Sequence, residues 1–290
     1  MKKVFLTFAD SRMKNSLNRI IRQANSLNIY DEIIGYNEGD LAPSFLNNFK
    51  CHLTSGSKGY GYWSWKPQIL LQVLNSIEDG DILQYTDAGC HLNSDGMKRL
   101  DQYFDIANES KSGILAFQAC PPKEPFNYDG RKLLDLSEYK WVKGDLLDHL
   151  GVRDNENILR SQTIGAGIIF IKKCSSSMSI ITEWLKIVET DFSFIDDTPS
   201  KSSNLVGFTE HRHDQSIFSL LCKLNDVDTV SAYEYWYPSR ASMKPDWEAL
   251  KNFPIHAKRD KDFGFKHKVQ SRVKKLIHNF KRAFLKLKRV

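Results

Sequence analysis

No stretch of the sequence approaches the ~18 uninterrupted apolar residues that a membrane-spanning helix needs. The run Gly167 to Ile171 is strand-sized. The opening Met1-Lys2-Lys3-Val4-Phe5-Leu6 has the charged start of a signal peptide, but Asp10 and Arg12 break the apolar run too early. A cytosolic setting is therefore expected. Paired cysteine motifs are also missing. The five cysteines (Cys51, Cys90, Cys120, Cys174 and Cys222) are odd in number and scattered, with no CxxC spacing, so neither a disulfide framework nor a zinc ribbon is expected. Neither GxSxG nor HExxH occurs, which leaves serine-hydrolase and zincin chemistry without support. There is no internal repeat and no low-complexity stretch.

Acidic side chains are absent from residues 265–290, which hold ten Lys and Arg. The whole chain carries 41 basic and 35 acidic residues, a net charge of +6. Subtracting the ten leaves 31 basic against 35 acidic, so the body is mildly acidic at −4. Two parts with different jobs are implied. In the tail, Val269, Val273, Leu276/Ile277, Phe280, Phe284 and Leu287 recur at helical steps with Lys and Arg between them. A basic amphipathic helix of that kind lies in an anionic membrane interface. A helix docked on its own domain is the bland alternative. Nucleic acid is not expected as a partner, because no binding motif accompanies the charge.

The body has ordinary globular composition, 41% apolar and 26% charged, with 290 residues in all. Val4 to Ala9 reads as a buried first strand ending at Asp10, and residues 14–27 repeat apolar side chains at helical spacing. Ile33–Tyr36, Ile82–Thr86, Gly113–Gln118 and Gly167–Lys172 read as further strands. Helices are predicted over 65–77, about 178–190 and 215–224. Alternating strands and helices predict an α/β fold, a mostly parallel sheet with helices on both faces. Residues 193–209, rich in Ser, Asp, Pro, Lys and Asn, read as a long loop and a candidate lid.

In such sheets ligands bind beyond the carboxyl ends of the strands. Asp10 and Asp87 both stand at strand ends. Asp87 opens Asp87-Ala88-Gly89, where a carboxylate can hold a divalent cation or simply shape a turn. Lys58-Gly59-Tyr60-Gly61-Tyr62-Trp63-Ser64-Trp65-Lys66-Pro67 combines glycines, aromatics and lysines just before a helix start. That suits a phosphate and a flat ring, or an aromatic turn packed on the core. Asp214 precedes an apolar helix and is either its N-cap or a general base, with Glu210 as a nearby alternative. His256, near the end of the body, is either structural or a ligand.

Four segments together resemble a bacterial GT-A-type glycosyltransferase of capsule or lipopolysaccharide biosynthesis. They are residues 59–67, Asp81-Ile-Leu-Gln-Tyr-Thr-Asp-Ala-Gly-Cys at 81–90, Ser161-Gln162 with Gly165–Ile171, and His213-Asp214-Gln215-Ser216. The resemblance spans about residues 1–260. It implies a Rossmann-like GT-A catalytic domain over 1–262, with a nucleotide-sugar half to about 110 and an acceptor half beyond, and a membrane-associating tail over 263–290.

What the resemblance implies chemically is transfer of a hexose from a UDP-sugar, galactose in pyranose or furanose form being the first guess. The acceptor would be a hydroxyl of a lipid-linked or growing oligosaccharide at the inner face of the cytoplasmic membrane. Thr7, Asp10, Lys58, Gly59, Trp65, Lys66 and Asp87 would line the nucleotide-sugar pocket. Lys143, Asp145, Gln162 and His213 would lie toward acceptor or donor sugar, and Asp214 would be the catalytic base of an inverting transfer. A retaining transfer would not need that base. Mn²⁺ or Mg²⁺ would be held by Asp87 and His256. The family's Asp-x-Asp falls on Asp87-Ala88-Gly89, so its second carboxylate is missing here. A non-catalytic nucleotide-sugar or carbohydrate-binding protein is the alternative.

Overall fold

The computed structural model describes residues 1–261 except 124, 125, 127 and 241–243. The basic tail expected at 263–290, and the boundary before it, lie outside the described residues. The chain opens with β1 (Lys3–Phe8), α1 (Lys14–Leu27) and β2 (Glu32–Tyr36), then two short helices, α2 (Pro43–Asn48) and α3 (Gly59–Tyr62). Next come α4 (Trp65–Leu74), β3 (Ile82–Thr86), β4 (His91–Leu92), α5 (Met97–Glu109) and β5 (Ile114–Gln118). After α6 (Gly144–His149) and α7 (Glu156–Arg160) follow β6 (Ile164–Lys172), α8 (Ser175–Thr190), α9 (Asp214–Leu224), β7 (Asp228–Ser231) and β8 (Ile255–His256).

Six strands form one sheet in the order β2-β1-β3-β6-β5-β7, and β4 pairs with β8 beside it. β1 is parallel to β2 and β3, and β5 is parallel to β7. β6 is antiparallel to both neighbours, β3 and β5. The sheet is thus mostly parallel, as expected, with one reversed strand near its middle. β6 also begins earlier than its apolar run, because the interrupted stretch Ile164-Gly-Ala-Gly pairs as strand before the continuous run from Ile168.

Period-two alternation divides the core between the two faces of the sheet. Val4 and Leu6, Leu83 and Tyr85, and Ile169 and Ile171 pack with α4, α8 and α9 on one face. Phe5, Ile82, Leu115 and Phe170 pack with α1 and α5 on the other. α4 begins as its sequence dictates, with Pro67 in the first turn where a missing N–H costs nothing. Among the described residues, no helix is long and apolar enough to cross a membrane.

Candidate active site

The carboxyl ends of β1 and β3 and the entry end of the reversed β6 open onto one cavity of about 750 Å³. β1 delivers Phe8, Ala9 and Asp10 to it, β3 delivers Asp87, and β6 contributes Gly165 to Ile168. The reversal matters because it brings glycines, not side chains, against Asp87. The Asp87 amide donates to the Gly167 carbonyl at 2.8 Å. A Cβ on Gly167 would stand 2.9 Å from Asp87 Oδ2.

The floor of the cavity is an ion cluster. Lys66, on the first turn of α4, is 2% exposed. Its Nζ donates to Asp214 Oδ2 at 2.6 Å and lies 3.5 Å from Asp87 Oδ1. The Tyr85 hydroxyl donates to the same Asp87 oxygen at 2.6 Å. Burial pulls the Lys66 ammonium down, but the two carboxylates outweigh it and its pKa is raised. Burial pushes the Asp214 carboxyl up to about 6, Lys66 opposing and the Asp87 charge adding. Burial also lifts the Tyr85 phenol well above its ordinary range, so it remains a donor. Lys66 is therefore fixed as the cation, while Asp214 is held where small changes decide its proton.

Asp214 is not the N-cap of α9. That position belongs to His213, with φ 54° and ψ −127°, and Asp214 is the first residue inside the helix. The side chain that could have capped is turned to Lys66 instead. His213 holds its strained backbone by donating from Nδ1 to the Ile195 carbonyl at 2.7 Å. Such strain persists only where neighbouring structure over-determines it. Tyr62 and Trp63 both pack on the His213 ring, at 5.1 and 5.7 Å between centroids.

The segment 58–67 arches over the same cavity. Gly59, Tyr60, Gly61, Tyr62 and Trp63 all take positive φ, so the chain coils on itself just before α4. Trp65 closes the coil by donating from Nε1 to the Gly59 carbonyl at 2.9 Å, and it stacks on Phe8 at 3.8 Å. Lys58, Gly59, Trp65, Lys66, Asp10, Asp87, His213 and Asp214 all line the cavity. Asp10 is engaged there by Arg12, whose Nε donates to it at 2.9 Å. Lys58 reaches Asp197 at 3.2 Å, on the loop read as a candidate lid. Glu210 lines the cavity too, paired with Arg212 at 3.2 Å.

Five expected residues do not line it. Thr7 is buried in β1, its hydroxyl without a partner among the described residues. Lys143 and Asp145 fasten the loop at 195–205. Lys143 Nζ donates to the Asp196 and Thr198 carbonyls, both at 3.2 Å. The Asp145 carboxylate accepts from the amides of Lys201 and Ser202, both at 2.8 Å. Gln162 accepts from the Leu136 amide at 2.7 Å, and its carbonyl accepts from Lys223 Nζ at 2.9 Å, tying α9 to the preceding loop. His256 is buried in the small sheet, pairing with His91, and its Nε2 donates to the Leu250 carbonyl at 2.9 Å.

Among the described residues, those lining the cavity do not form a divalent-cation site. Asp87 supplies one carboxylate, with an oxygen already shared by Tyr85 and Lys66. His256 is engaged outside the cavity, and Gly89 brings no side chain. Among the described residues, no group of three His, Cys, Asp or Glu is placed to hold a metal. Hard cations of this class take several oxygen ligands.

Sequence reasoning missed Arg12, Cys90, Tyr235, Arg259 and Lys261, all of which line the cavity. Arg259 and Lys261 stood in view as basic residues after His256. Cys90 closed the 81–90 segment without being singled out, and Tyr235 gave no sequence signal, since its place depends on how the chain returns to the sheet.

No protein-family model matches the chain, and no curated protein sequence matches it. Among solved structures, the chain is similar to a glycosyltransferase involved in glycosylation of the major capsid of PBCV-1. That pair shares 10% identity over 88% of this chain and 93% of the other, with a TM-score of 0.44. The galactosyltransferase LgtC, crystallised with donor and acceptor sugar analogues, gives 13% identity over 87% and 86% of the two chains, at 0.42. Mouse xyloside xylosyltransferase 1 gives 8% over 81% and 87%, also at 0.42. At such identity the likeness assigns no role to any residue of this chain.

Proposed function

We propose that this chain is a sugar-nucleotide-dependent glycosyltransferase that moves a hexose from a UDP-sugar to a hydroxyl of a lipid-linked or growing surface glycan. The observation that carries the reading is the buried Lys66 held between Asp214 and Asp87, at a strand end, beneath a cavity walled by Trp and Tyr. A cleft of this size fits a nucleotide and one sugar. Galactose, as pyranose or furanose, is the first donor to test.

In an inverting transfer the acceptor oxygen bonds to the anomeric carbon, and the bond from that carbon to the diphosphate oxygen breaks. The diphosphate leaves with the electron pair, and the hydroxyl proton goes to a base. Asp214 takes that role: its carboxyl is pushed up to about 6, near the pH at which a base works best. Lys66 orients the carboxylate and stabilises its charged form. The arch of residues 58–67 supplies flat apolar faces for the base or sugar. Residues 265–290 bring the acidic body to an anionic bilayer at the inner face of the bacterial cytoplasmic membrane, at about 1 kcal/mol per engaged Lys or Arg.

Turnover of a panel of sugar nucleotides, UDP-galactose first, by the purified full chain tests the reading. Asp214→Asn and Lys66→Ala are expected to abolish it, and full activity in both variants overturns it. Gly89 in place of a second carboxylate favours one other reading, a non-catalytic binder of the same ligands. Donor turnover lost on Asp87→Asn excludes that reading.

A further inference from the structure

The chain immediately after the body's last strand lies across the strand-end turn that the resemblance to metal-using transferases singles out. The Gly89 carbonyl accepts from the Asp260 amide at 3.0 Å. A Cβ on Gly89 would be 3.4 Å from Arg259 Cα and 3.7 Å from its carbonyl carbon. A side chain at the place of the second carboxylate would thus lie in van der Waals contact with the backbone that carries Arg259.

That backbone is strapped down. Asp260 accepts at its carboxylate from Arg19 and from His91, both at 3.1 Å, and its carbonyl accepts from Ser16 Oγ at 3.0 Å. Arg19 also donates to the Ala88 carbonyl at 2.8 Å, so one guanidinium binds both sides of the crossing. Arg259 sits at its centre with φ 51°, a left-handed conformation that non-glycine residues adopt at a cost.

The charges of the cavity point the same way. Arg12 answers Asp10, Arg212 answers Glu210, and Lys66 answers Asp214 and Asp87. Arg259 and Lys261 also line the cavity, and among the described residues neither has an ion-pair partner. A guanidinium presents paired donors that match phosphate geometry. An uncompensated Arg and Lys beside a lone, already bonded Asp87 form an anion site, not a cation site.

We propose that Arg259, with Lys261 beside it, is the phosphate-holding group of this cleft, and that it binds a nucleoside diphosphate without a divalent cation. The inference rests on the reading of the cleft as a sugar-nucleotide site. It replaces metal-bridged recognition of the diphosphate by direct charge-assisted hydrogen bonds from the chain.

Calorimetric titration of the full chain with UDP, GDP, CDP and dTDP, in EDTA and in Mn²⁺, tests it. The expected result is one nucleotide binding with equal affinity in both. Arg259→Ala, at an exposed position, is expected to weaken that binding about tenfold or more and Lys261→Ala to weaken it less. Affinity for the corresponding nucleoside should not change, and an unchanged melting temperature shows that the variants fold. Binding that disappears in EDTA and returns with Mn²⁺ overturns the inference and leaves the transferase reading standing. So does diphosphate binding that is indifferent to Arg259→Ala. No binding of any nucleotide in either condition overturns both.

Discussion

Lys66 Nζ lies 2.6 Å from Asp214 Oδ2, and both side chains are almost wholly buried. A buried ion pair is costly to break from one side, because the survivor keeps its desolvation penalty without its partner. Lys66→Met leaves the Asp214 carboxylate facing that of Asp87. A loss of about 3–5 kcal/mol is expected in urea denaturation. The double variant with Asp214→Asn should recover most of it. Equal stability of Lys66→Met and the parent chain contradicts the pairing.

Stability and turnover should move in opposite directions with pH. The Asp214 carboxyl is raised from 3.8 to about 6 in the folded protein, by burial first. Between these values the native state holds a proton that the unfolded chain has released. The group's contribution is therefore full below about pH 4 and lost as pH climbs through about 6, up to roughly 3 kcal/mol. A base must be deprotonated, so turnover should rise over the same interval to a plateau. Asp214→Asn should flatten the stability slope between pH 4 and pH 7, measured by denaturant midpoints.

Gly167→Ala perturbs the cleft without altering any ionisable group. The new methyl would stand 2.9 Å from Asp87 Oδ2, so the carboxylate must turn away from Tyr85 and Lys66. Turnover should fall about tenfold or more while stability changes by only about 1 kcal/mol. A structure of the variant with Asp87 unmoved, or unchanged turnover, argues against the arrangement.

How much of this was legible beforehand follows the range of each interaction. Helix 14–27 and strand Ile82–Thr86 were read correctly to the residue, because periodicity and turn chemistry are local. The reversal of β6 was not, since direction depends on how the chain returns to the sheet. Asp214, Lys66 and Asp87 were each singled out as separate candidates. Their meeting required α4, β3 and α9 to converge, which no spacing encodes. Lys143 and Asp145 fell among polar residues of suitable chemistry, yet their partners are mostly backbone groups of a loop some fifty positions on. Such partners leave no mark in composition.

Asp145→Ala should loosen that loop. Its carboxylate accepts from the Lys201 and Ser202 amides and from Ser202 Oγ. Without it, trypsin should cut after the exposed Lys201 about tenfold faster for each ~1.4 kcal/mol of lost local stability. The global unfolding midpoint should shift far less. Cleavage at the parental rate shows that other contacts hold the loop.

Removal of residues 265–290 withdraws ten positive charges from the chain. Co-sedimentation with anionic vesicles should be lost, and with the parent chain it should weaken as salt rises. Turnover of a water-soluble acceptor should be unchanged. Vesicle binding that survives the deletion locates the membrane contact in the body instead.

The reversed strand has a bearing on how the protein is made. β3 leaves the ribosome with one edge paired to β1 and the other bare. Its partner on that side, β6, is synthesised only after α5, β5, α6 and α7. Throughout that interval a strand destined for burial presents unmatched amides to any similar edge nearby. Synthesis is thus exposed to association between nascent chains until Ile164–Lys172 arrives and closes the sheet from its middle. If association of nascent chains limits the soluble yield, slower initiation or a lower growth temperature should raise it.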